Sequence, residues 1–213
     1  MSQFTNKTVV VTGGTDGIGR ALVLNLLALG ANVVTCGRSQ QKILALEAEA
    51  PMGKICVLNA DVSVEKDCER LVDHAVKMFG GIDVLINNAG ISMRALFQDL
   101  DLEVFRKVMD TNFWGTVYAT KYCLPAILDS KGSVIGISSI NGYRGTPART
   151  AYTASKYAMN GFFESLRTEV MKKGVHVLVV APGFTSSNIR NTALTASGAS
   201  QGESPRDESK MMT

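Results

Sequence analysis

Three features that would place this chain in other classes of protein are missing from its sequence. No uncharged apolar run is long enough to span a bilayer, and the first residues lack the charged, apolar and then small-residue order of a signal peptide. The 22 Lys and Arg residues are scattered rather than gathered into a basic stripe, and the formal net charge is only +3. We therefore expect a soluble, cytoplasmic protein with no membrane span and no nucleic-acid partner.

Cysteine is also scarce, with four residues in a chain of 213. Cys36, Cys56, Cys68 and Cys123 lie far apart without CxxC spacing, and three of them stand within apolar runs. A free thiol in such a run behaves as a small hydrophobic group. The pattern predicts reduced, structural cysteines in a reducing compartment, and we expect no metal site.

Short β-branched runs alternate with longer amphipathic stretches along most of the chain. This alternation predicts an α/β fold: a doubly wound, Rossmann-type parallel sheet with helices on both faces, in a single domain over residues 1–195. The predicted strands are 8–12, 32–36, 55–58, 84–87, 133–138 and 175–181, and the predicted helices are 17–29, 40–49, 64–79, 102–128 and 151–173. Residues 196–213 turn to Ser, Gly, Thr, Glu and Asp, which predicts a flexible polar tail.

A glycine-rich turn follows the first predicted strand, with the sequence TGGTDGIG over residues 12–19, and leads into an apolar-periodic helix. A tight turn and a closely bound pyrophosphate both need a backbone without side-chain bulk, and the helix amino end offers free N–H groups. We predict a dinucleotide cradle rather than a plain loop. Its predicted contacts are Gly13, Thr15, Asp16, Gly17, Ile18 and Gly19.

Arg38 stands at the end of the second predicted strand, where an NAD enzyme would carry an acid for the adenosine ribose. A guanidinium suits a 2′-phosphate, to which it can donate paired hydrogen bonds. The sequence therefore predicts a preference for NADP(H) over NAD(H). The alternative is an ordinary surface arginine in a helix-entry turn.

Small polar groups also follow the third and fourth predicted strands. Asp61 could accept from an adenine amino group, or it could cap a helix beginning at Ser63 or Val64. The asparagine pair Asn87 and Asn88 could contact the cofactor or be structural. The predicted contacts in these two segments are Asp61, Val62, Asn88, Ala89 and Gly90.

Tyr152 and Lys156 are four residues apart in a predicted helix, so the phenol and the ammonium share one face. A cation within about 4–6 Å lowers a tyrosine pKa from about 10 towards values useful for proton transfer. Taken alone, the pair is explained more readily by a solvated helix face. The position of Ser139 favours catalysis, because this strand end meets the start of the helix and a hydroxyl there can face the phenol across a substrate carbonyl.

Two further polar residues complete the candidate catalytic set. Ser138 is an alternative to Ser139, but strand alternation directs the two hydroxyls to opposite sides. Asn112 lies inside the predicted helix 102–128, where an amide has no intrinsic advantage and needs a buried partner, the helix backbone being the simplest one.

Together these motifs resemble the short-chain dehydrogenase/reductase family, from Lys7 to about Ile189. The resemblance implies that Ser139 polarises the substrate oxygen, that Tyr152 is the acid/base and that Asn112 holds a water in the proton relay. It implies that Lys156 binds the nicotinamide ribose and lowers the pKa of Tyr152. It also implies a turn beside the nicotinamide, with contacts at Pro182, Gly183, Thr185 and Ser187.

The implied activity is hydride transfer between NADP(H) and a small carbonyl or secondary alcohol substrate. The family also implies a homodimer or homotetramer, paired through the apolar faces of helices 102–128 and 151–173. The alternative function is a cofactor-binding regulatory or scaffold protein of the same fold with little turnover.

The chain departs from the family pattern at two places. Some NADP-using relatives carry a base where Asp16 stands, which weakens the NADP(H) prediction without reversing it. The family also continues into a substrate-covering loop, a helix and a seventh strand, whereas this chain stops at Thr213. We therefore expect the last helix and strand to be missing, and residues 196–213 to be a tail or the start of a truncated lid. Segments 92–97, 141–149 and the residues after Phe184 should line the substrate pocket, where Arg144 and Arg149 either favour an acidic substrate or are surface charges.

Overall fold

In the computed structural model, which describes residues 2–185 and 187–202, six parallel strands form one sheet in the order β3-β2-β1-β4-β5-β6. The strands are β1 (Thr8–Val11), β2 (Asn32–Gly37), β3 (Ile55–Asn59), β4 (Val84–Asn87), β5 (Ser133–Ile137) and β6 (His176–Val180). In the register of the sheet, Val10 lies between Val34 and Leu85. The predicted doubly wound fold is confirmed, and the strand order reverses between β1 and β4, where such sheets bind their ligands.

Helices cover both faces of the sheet. They are α1 (Gly17–Ala28), α2 (Gln40–Glu49), α3 (Glu65–Phe79), α4 (Leu102–Met109), α5 (Gly115–Ser130) and α6 (Thr150–Val170). Val9 and Val11 pack with α1 and α2 on one face, whereas Val10 packs with α3, α5 and α6 on the other. This is the period-two alternation of a strand that is buried on both sides.

The helix predicted over residues 102–128 is present, but its hydrogen bonding changes in the middle. A π-helical turn, Asp110–Trp114, separates α4 from α5. The Asn112 amide leaves the helix at this turn: its Oδ1 accepts from the Ile91 N–H at 2.8 Å, and its Nδ2 donates to the Ile91 carbonyl at 3.0 Å. A side chain that bonds outside its own helix favours a widened turn, a distortion that is common at functional sites.

The chain after β6 returns to the loop that follows β4. The Leu194 N–H donates to the Ser92 carbonyl, and the Leu194 carbonyl accepts from the Arg94 N–H. The first part of the predicted tail is bonded as well, since the Asp101 N–H donates to the Ala196 carbonyl and the Gln201 N–H to the Ala193 carbonyl. The rest of that prediction, residues 203–213, lies outside the described residues.

All four cysteines are free, and three of them are buried. Burial raises the pKa of the Cys36 thiol to about 11 and that of Cys68 to about 12. Within the described residues, no helix combines the length and apolar character needed to cross a bilayer.

Candidate active site

One cavity of about 900 Å³ opens at the carboxyl ends of the strands. Ligand pockets typically measure about 300–1,000 Å³, so the cavity has room for a large ligand. Every residue predicted to contact the cofactor lines it, and so do Ser139, Tyr152 and Lys156. Asn112 is not among the lining residues but lies next to them, since a Cβ at Gly90 would stand 3.3 Å from its Oδ1.

The glycine loop, residues 12–19, forms the floor at one end of the cavity. Gly13 has a φ of +67°, and a Cβ there would stand 2.9 Å from the Ala89 Cα. A Cβ at Gly19 would stand 2.3 Å from the Gly13 carbonyl oxygen. These positions therefore accept only glycine.

Polar side chains hold this loop in place. The Thr12 Oγ1 accepts from the N–H groups of Asn88 and Ala89, each at 3.0 Å, and the Asn88 Nδ2 donates to the carbonyls of Thr12 and Gly13. The sequence patterns do not point to Thr35, which also supports the loop. Its Oγ1 accepts from the Gly14 N–H and donates to the Val11 carbonyl. The available signal was one hydroxyl in the valine-rich strand β2. The Asn88 side chain therefore has a structural role, which was one of the two alternatives predicted for it.

Two cation–carboxylate pairs flank the far end of the glycine loop. Arg38 lies 3.4 Å from Asp61, and Lys42 pairs with Asp16. Lys42 is not among the predicted site residues, although a cation in the first turn of α2 is unusual because the helix dipole opposes it. Burial would raise the Asp16 pKa, but the hydrogen bonds from Lys42, Asn188 and the Gly17 N–H outweigh it and lower that pKa.

The predicted helix cap at Asp61 is wrong. Helix α3 begins at Glu65, after Val64, and has no side-chain cap. Asp61 Oδ1 instead accepts from the N–H and the hydroxyl of Ser63. Burial would raise the Asp61 pKa, but these bonds and the charge of Arg38 lower it.

Ser139 and Tyr152 both line the cavity, and their side chains are close enough for Ser139 to oppose the rise that burial causes in the Tyr152 pKa. The choice between neighbouring serines is settled by geometry, because the buried Ser138 donates to the Asn160 Oδ1 at 2.7 Å, away from the phenol. Ser139 is the hydroxyl that faces Tyr152, as strand alternation requires.

Lys156 does not bond to the phenol. Its Nζ lies 5.8 Å from the centre of the Tyr152 ring and donates to the Ile137 carbonyl at 2.9 Å. Burial lowers the pKa of Lys156 to about 8. The expected lowering of the Tyr152 pKa by Lys156 is wrong for this structure: burial raises that pKa, and the opposing effects come from Ser139 and Arg149.

Asn112 has a second partner besides Ile91. Its Nδ2 donates to the Ser155 Oγ at 2.9 Å, and Ser155 donates to the Tyr152 carbonyl. The amide therefore links the chain after β4 to the helix that carries Tyr152 and Lys156. The predicted partner in its own helix backbone is wrong for this side chain, because the amide turns out of the helix.

Arg149 stands one residue before α6 and is half-buried. Its Nη1 donates to the Ser92 Oγ at 2.6 Å and to the Met93 carbonyl at 2.8 Å. The interpretation of Arg149 as an ordinary surface charge is therefore wrong. Arg144 is exposed and does not line the cavity.

The segment after β6 forms part of the cavity wall. Pro182, Gly183, Thr185 and Ser187 all line it. The Asn188 Nδ2 donates to both carboxylate oxygens of Asp16 at 3.2 Å, which ties this segment to the glycine loop. The same segment reaches the loop after β4 through Leu194.

Comparisons with known proteins agree with this architecture. The short chain dehydrogenase family model matches residues 7–197, so the chain belongs to that family of oxidoreductases. Dehydrogenase/reductase SDR family member 7B of Bos taurus is 38% identical over 206 residues, which cover 92% of this chain and 63% of the relative. The 11-beta-hydroxysteroid dehydrogenase A of Sesamum indicum is 36% identical over 187 residues, covering 86% of this chain and 53% of the relative.

A solved short-chain dehydrogenase/reductase from Caenorhabditis elegans, crystallised with cofactor, superposes with a TM-score of 0.83 at 29% identity. The match covers 88% of this chain and 73% of that one. The chain thus spans under two thirds of the length of the two curated relatives.

Proposed function

We propose that this chain is an NADP(H)-dependent oxidoreductase that interconverts a carbonyl and a secondary alcohol, with Tyr152 as the acid/base. The observation that carries the proposal is that Ser139, Tyr152 and Lys156 line the same cavity as a glycine loop in which Gly13 and Gly19 tolerate no side chain. Both hydroxyls can reach one carbonyl oxygen, and Lys156 is buried beside the phenol ring.

The residues present fit a nicotinamide dinucleotide. The N–H groups of the glycine loop would hold the pyrophosphate, and Asp61 would accept from the adenine amino group. Lys156 would hold the nicotinamide ribose and Thr185 the carboxamide. Bound NADPH supplies a hydride to the carbonyl carbon.

The proton that completes the reduction comes from this chain. Ser139 donates a hydrogen bond to the substrate oxygen and orients it towards Tyr152. Tyr152 gives its proton to that oxygen as the alcohol forms, and it takes the proton back in the oxidative direction. Asn112 acts as a positioning residue, because it joins Ile91 to Ser155 one helical turn from Tyr152.

Replacing Tyr152 with Phe tests the mechanism. Loss of a general acid is expected to lower kcat by about 10²- to 10⁴-fold and to leave NADPH binding intact. Tyr157→Phe is the matched control, since Tyr157 is an exposed tyrosine on the same helix and donates to the Tyr143 carbonyl. Full activity of Y152F against a panel of ketones would remove Tyr152 from the mechanism.

The NADP(H) preference rests on two cations. Arg38 and Lys42 line the end of the cavity next to the glycine loop, and each can pair with a 2′-phosphate. Removing a hydrogen bond to a charged group costs about 1.5–3 kcal/mol, so Arg38→Leu and Lys42→Met should each weaken NADPH binding about 10- to 150-fold. NADH binding should change little. A titration in which wild-type protein binds NADH more tightly than NADPH would refute the preference.

A homodimer or homotetramer is part of the proposal. Trp114 is half-exposed and stacks on Tyr118 of α5, while Phe113 packs edge-on against Phe162 of α6. An aromatic surface shared by two helices is typical of a subunit interface. We expect light scattering to give a dimer or tetramer mass, and Trp114→Glu to give monomers. A monomeric mass for the wild-type protein would contradict this.

A further inference from the structure

Asn160 is a buried amide in α6, one helical turn beyond Lys156. An asparagine has no intrinsic advantage inside a helix, and burying its amide costs free energy unless both ends find hydrogen-bond partners. Here the Oδ1 accepts from the Ser138 hydroxyl at 2.7 Å, and the Nδ2 donates to the Gly142 carbonyl at 2.9 Å. One side chain of α6 therefore bonds to the chain on both sides of Ser139.

The short turn after Ser139, Ile140–Gly142, connects this amide to the Ser139 hydroxyl. The Gly142 N–H donates to the Ser139 carbonyl at 2.9 Å, and the Ser139 Oγ accepts from the Asn141 N–H at 3.2 Å. Gly142 is thus bonded to Ser139 through its N–H and to Asn160 through its carbonyl. A displacement of Gly142 would move the backbone that orients the Ser139 hydroxyl.

Gly142 packs directly against α6, the helix that carries Tyr152. A Cβ on Gly142 would stand 2.6 Å from the Ser138 Oγ, 2.8 Å from the Asn160 Nδ2 and 3.2 Å from the Lys156 carbonyl oxygen. The close approach of the backbone is possible because glycine has no side chain. The distance between the turn and the catalytic helix is therefore set at this contact.

Two further hydrogen bonds join α6 to the loop, but neither involves Gly142. The Asn141 Nδ2 donates to the Thr153 Oγ1 at 3.1 Å, and the exposed Tyr157 hydroxyl donates to the Tyr143 carbonyl. Of the three bonds, the one between Asn160 and Gly142 is the buried one. A hydrogen bond shielded from water is electrostatically stronger than an exposed one, so this bond should contribute most to the geometry.

We propose that Asn160 is a positioning residue for the reaction, which fixes the Ser139 hydroxyl relative to Tyr152 through its bond to the Gly142 carbonyl. The inference rests on the proposed reductase function and deepens it. Asn160 is not among the residues that line the cavity, so it acts through Ser139 rather than by touching substrate or cofactor. An error of about 1 Å in the placement of a reacting group can cost about 10²-fold in rate.

The bond between Asn160 and Ser138 has a different role. The Ser138 backbone is already held against β6, because its N–H donates to the Val180 carbonyl at 2.7 Å. Loss of the Ser138 hydroxyl should therefore cost stability without moving Ser139. Ser138→Ala is the matched control, since it removes one bond of the Asn160 amide and keeps the bond to Gly142.

A double-mutant cycle on kcat tests whether Asn160 acts through Ser139. Asn160→Leu removes both bonds of the amide, and we expect kcat for ketone reduction to fall about 10- to 100-fold while the Kd of NADPH stays unchanged. In Ser139→Ala protein the same change should alter kcat by no more than about twofold, because the hydroxyl to be positioned is gone. A general loss of stability would lower kcat by the same factor in both proteins.

Ser138→Ala should lose stability as Asn160→Leu does and keep its kcat. Where Asn160→Leu does not fold, Asn160→Asp replaces it in the cycle, because a carboxylate still accepts from Ser138 and has no N–H for the Gly142 carbonyl. An unchanged kcat in the Asn160 variant, or an equal loss with and without the Ser139 hydroxyl, would overturn the proposal.

Fluorine NMR, which needs no turnover, separates this inference from the proposed function. In protein labelled with 3-fluorotyrosine, the resonance that disappears in Tyr152→Phe belongs to Tyr152. Ser139 is close enough to affect the Tyr152 pKa, so we expect this resonance to shift in Ser139→Ala. It should also shift in Asn160→Leu, stay in place in Ser138→Ala, and shift no further when N160L is added to S139A.

This pattern in a protein that reduces no ketone would reject the reductase and retain the positioning role. Ketone reduction by the wild-type protein, with a Tyr152 resonance that Asn160→Leu leaves in place or shifts equally in both backgrounds, would retain the reductase and reject the positioning role.

Discussion

The two ends of the cavity are built differently. The half proposed to hold the cofactor, called here the cofactor half, is formed by the glycine loop and residues 88–90. It is fixed by hydrogen bonds between the side chains of Thr12, Thr35 and Asn88 and the neighbouring backbone. The half proposed to hold the substrate, called here the substrate half, is formed by residues 91–97, 140–149, 184–185 and 187–194, which lie outside the strands and carry exposed apolar side chains such as Ile140 and Phe184. A rigid half can hold one ligand in all members of a family, whereas loops can change with the substrate.

Ser138 and Ser139, which stand where the two halves meet, give the sharpest test of this comparison. Ser139→Ala removes a donor to the substrate oxygen, and we expect kcat to fall by about 10²- to 10³-fold. Ser138→Ala leaves the Asn160 Oδ1 without its donor. That change should lower the free energy of unfolding by about 1–3 kcal/mol and leave kcat unchanged.

Steady-state kinetics and chemical denaturation of both variants measure these effects. We expect Ser139→Ala mainly to lose activity and Ser138→Ala mainly to lose stability. If Ser138→Ala were the inactive variant, the assignment of Ser139 would be wrong.

Glycine replacements compare the rigidity of the two halves. Gly13→Ala places a Cβ against the Ala89 Cα at a positive φ, so we expect the free energy of unfolding to fall by about 2 kcal/mol or more, with weaker NADPH binding. Gly145→Ala in the substrate half meets only the Thr153 Cγ2, at 3.9 Å. Its effect on stability should stay within about 0.5 kcal/mol. Equal losses in the two variants would show that the halves do not differ in rigidity.

The sequence allowed the cofactor half to be predicted because its requirements are local. Gly13 follows β1 and Gly19 lies in the first turn of α1, so the spacing of these glycines is enough to indicate the loop. Tyr152 and Lys156 were equally accessible, because helical geometry relates positions four apart.

What could not be predicted depends on contacts between distant segments. Lys42 pairs with Asp16 across 26 residues, Arg149 reaches Ser92 across 57, and neither spacing has a periodic signature. The π-turn at Asn112 likewise depends on Ile91, which is remote in sequence. The Tyr152 pKa was predicted in the wrong direction because the helical spacing shows the nearby charge but not the burial.

The pKa of Lys156 tests how dry the junction of the two halves is. Burial lowers its pKa to about 8, whereas a lysine in an unfolded chain titrates near 10.4. Between these pKa values the unfolded state binds more protons, so the free energy of unfolding rises with pH. Below the folded pKa, the cost of burying the charged ammonium lowers the free energy of unfolding by its full amount. As the ammonium loses its charge, the free energy of unfolding should rise by about 2 kcal/mol between pH 7.5 and 9.5.

The buried cysteines act in the opposite direction, because raised thiol pKa values make unfolding release protons above about pH 8.5. Lys156→Met retains these thiols and removes the amine, so the difference between wild type and variant isolates Lys156. Denaturant titrations of both proteins without cofactor should show this difference growing in favour of the wild type as the pH rises. A pH-independent difference would mean that water reaches the ammonium, and the junction would then be no drier than the substrate loops.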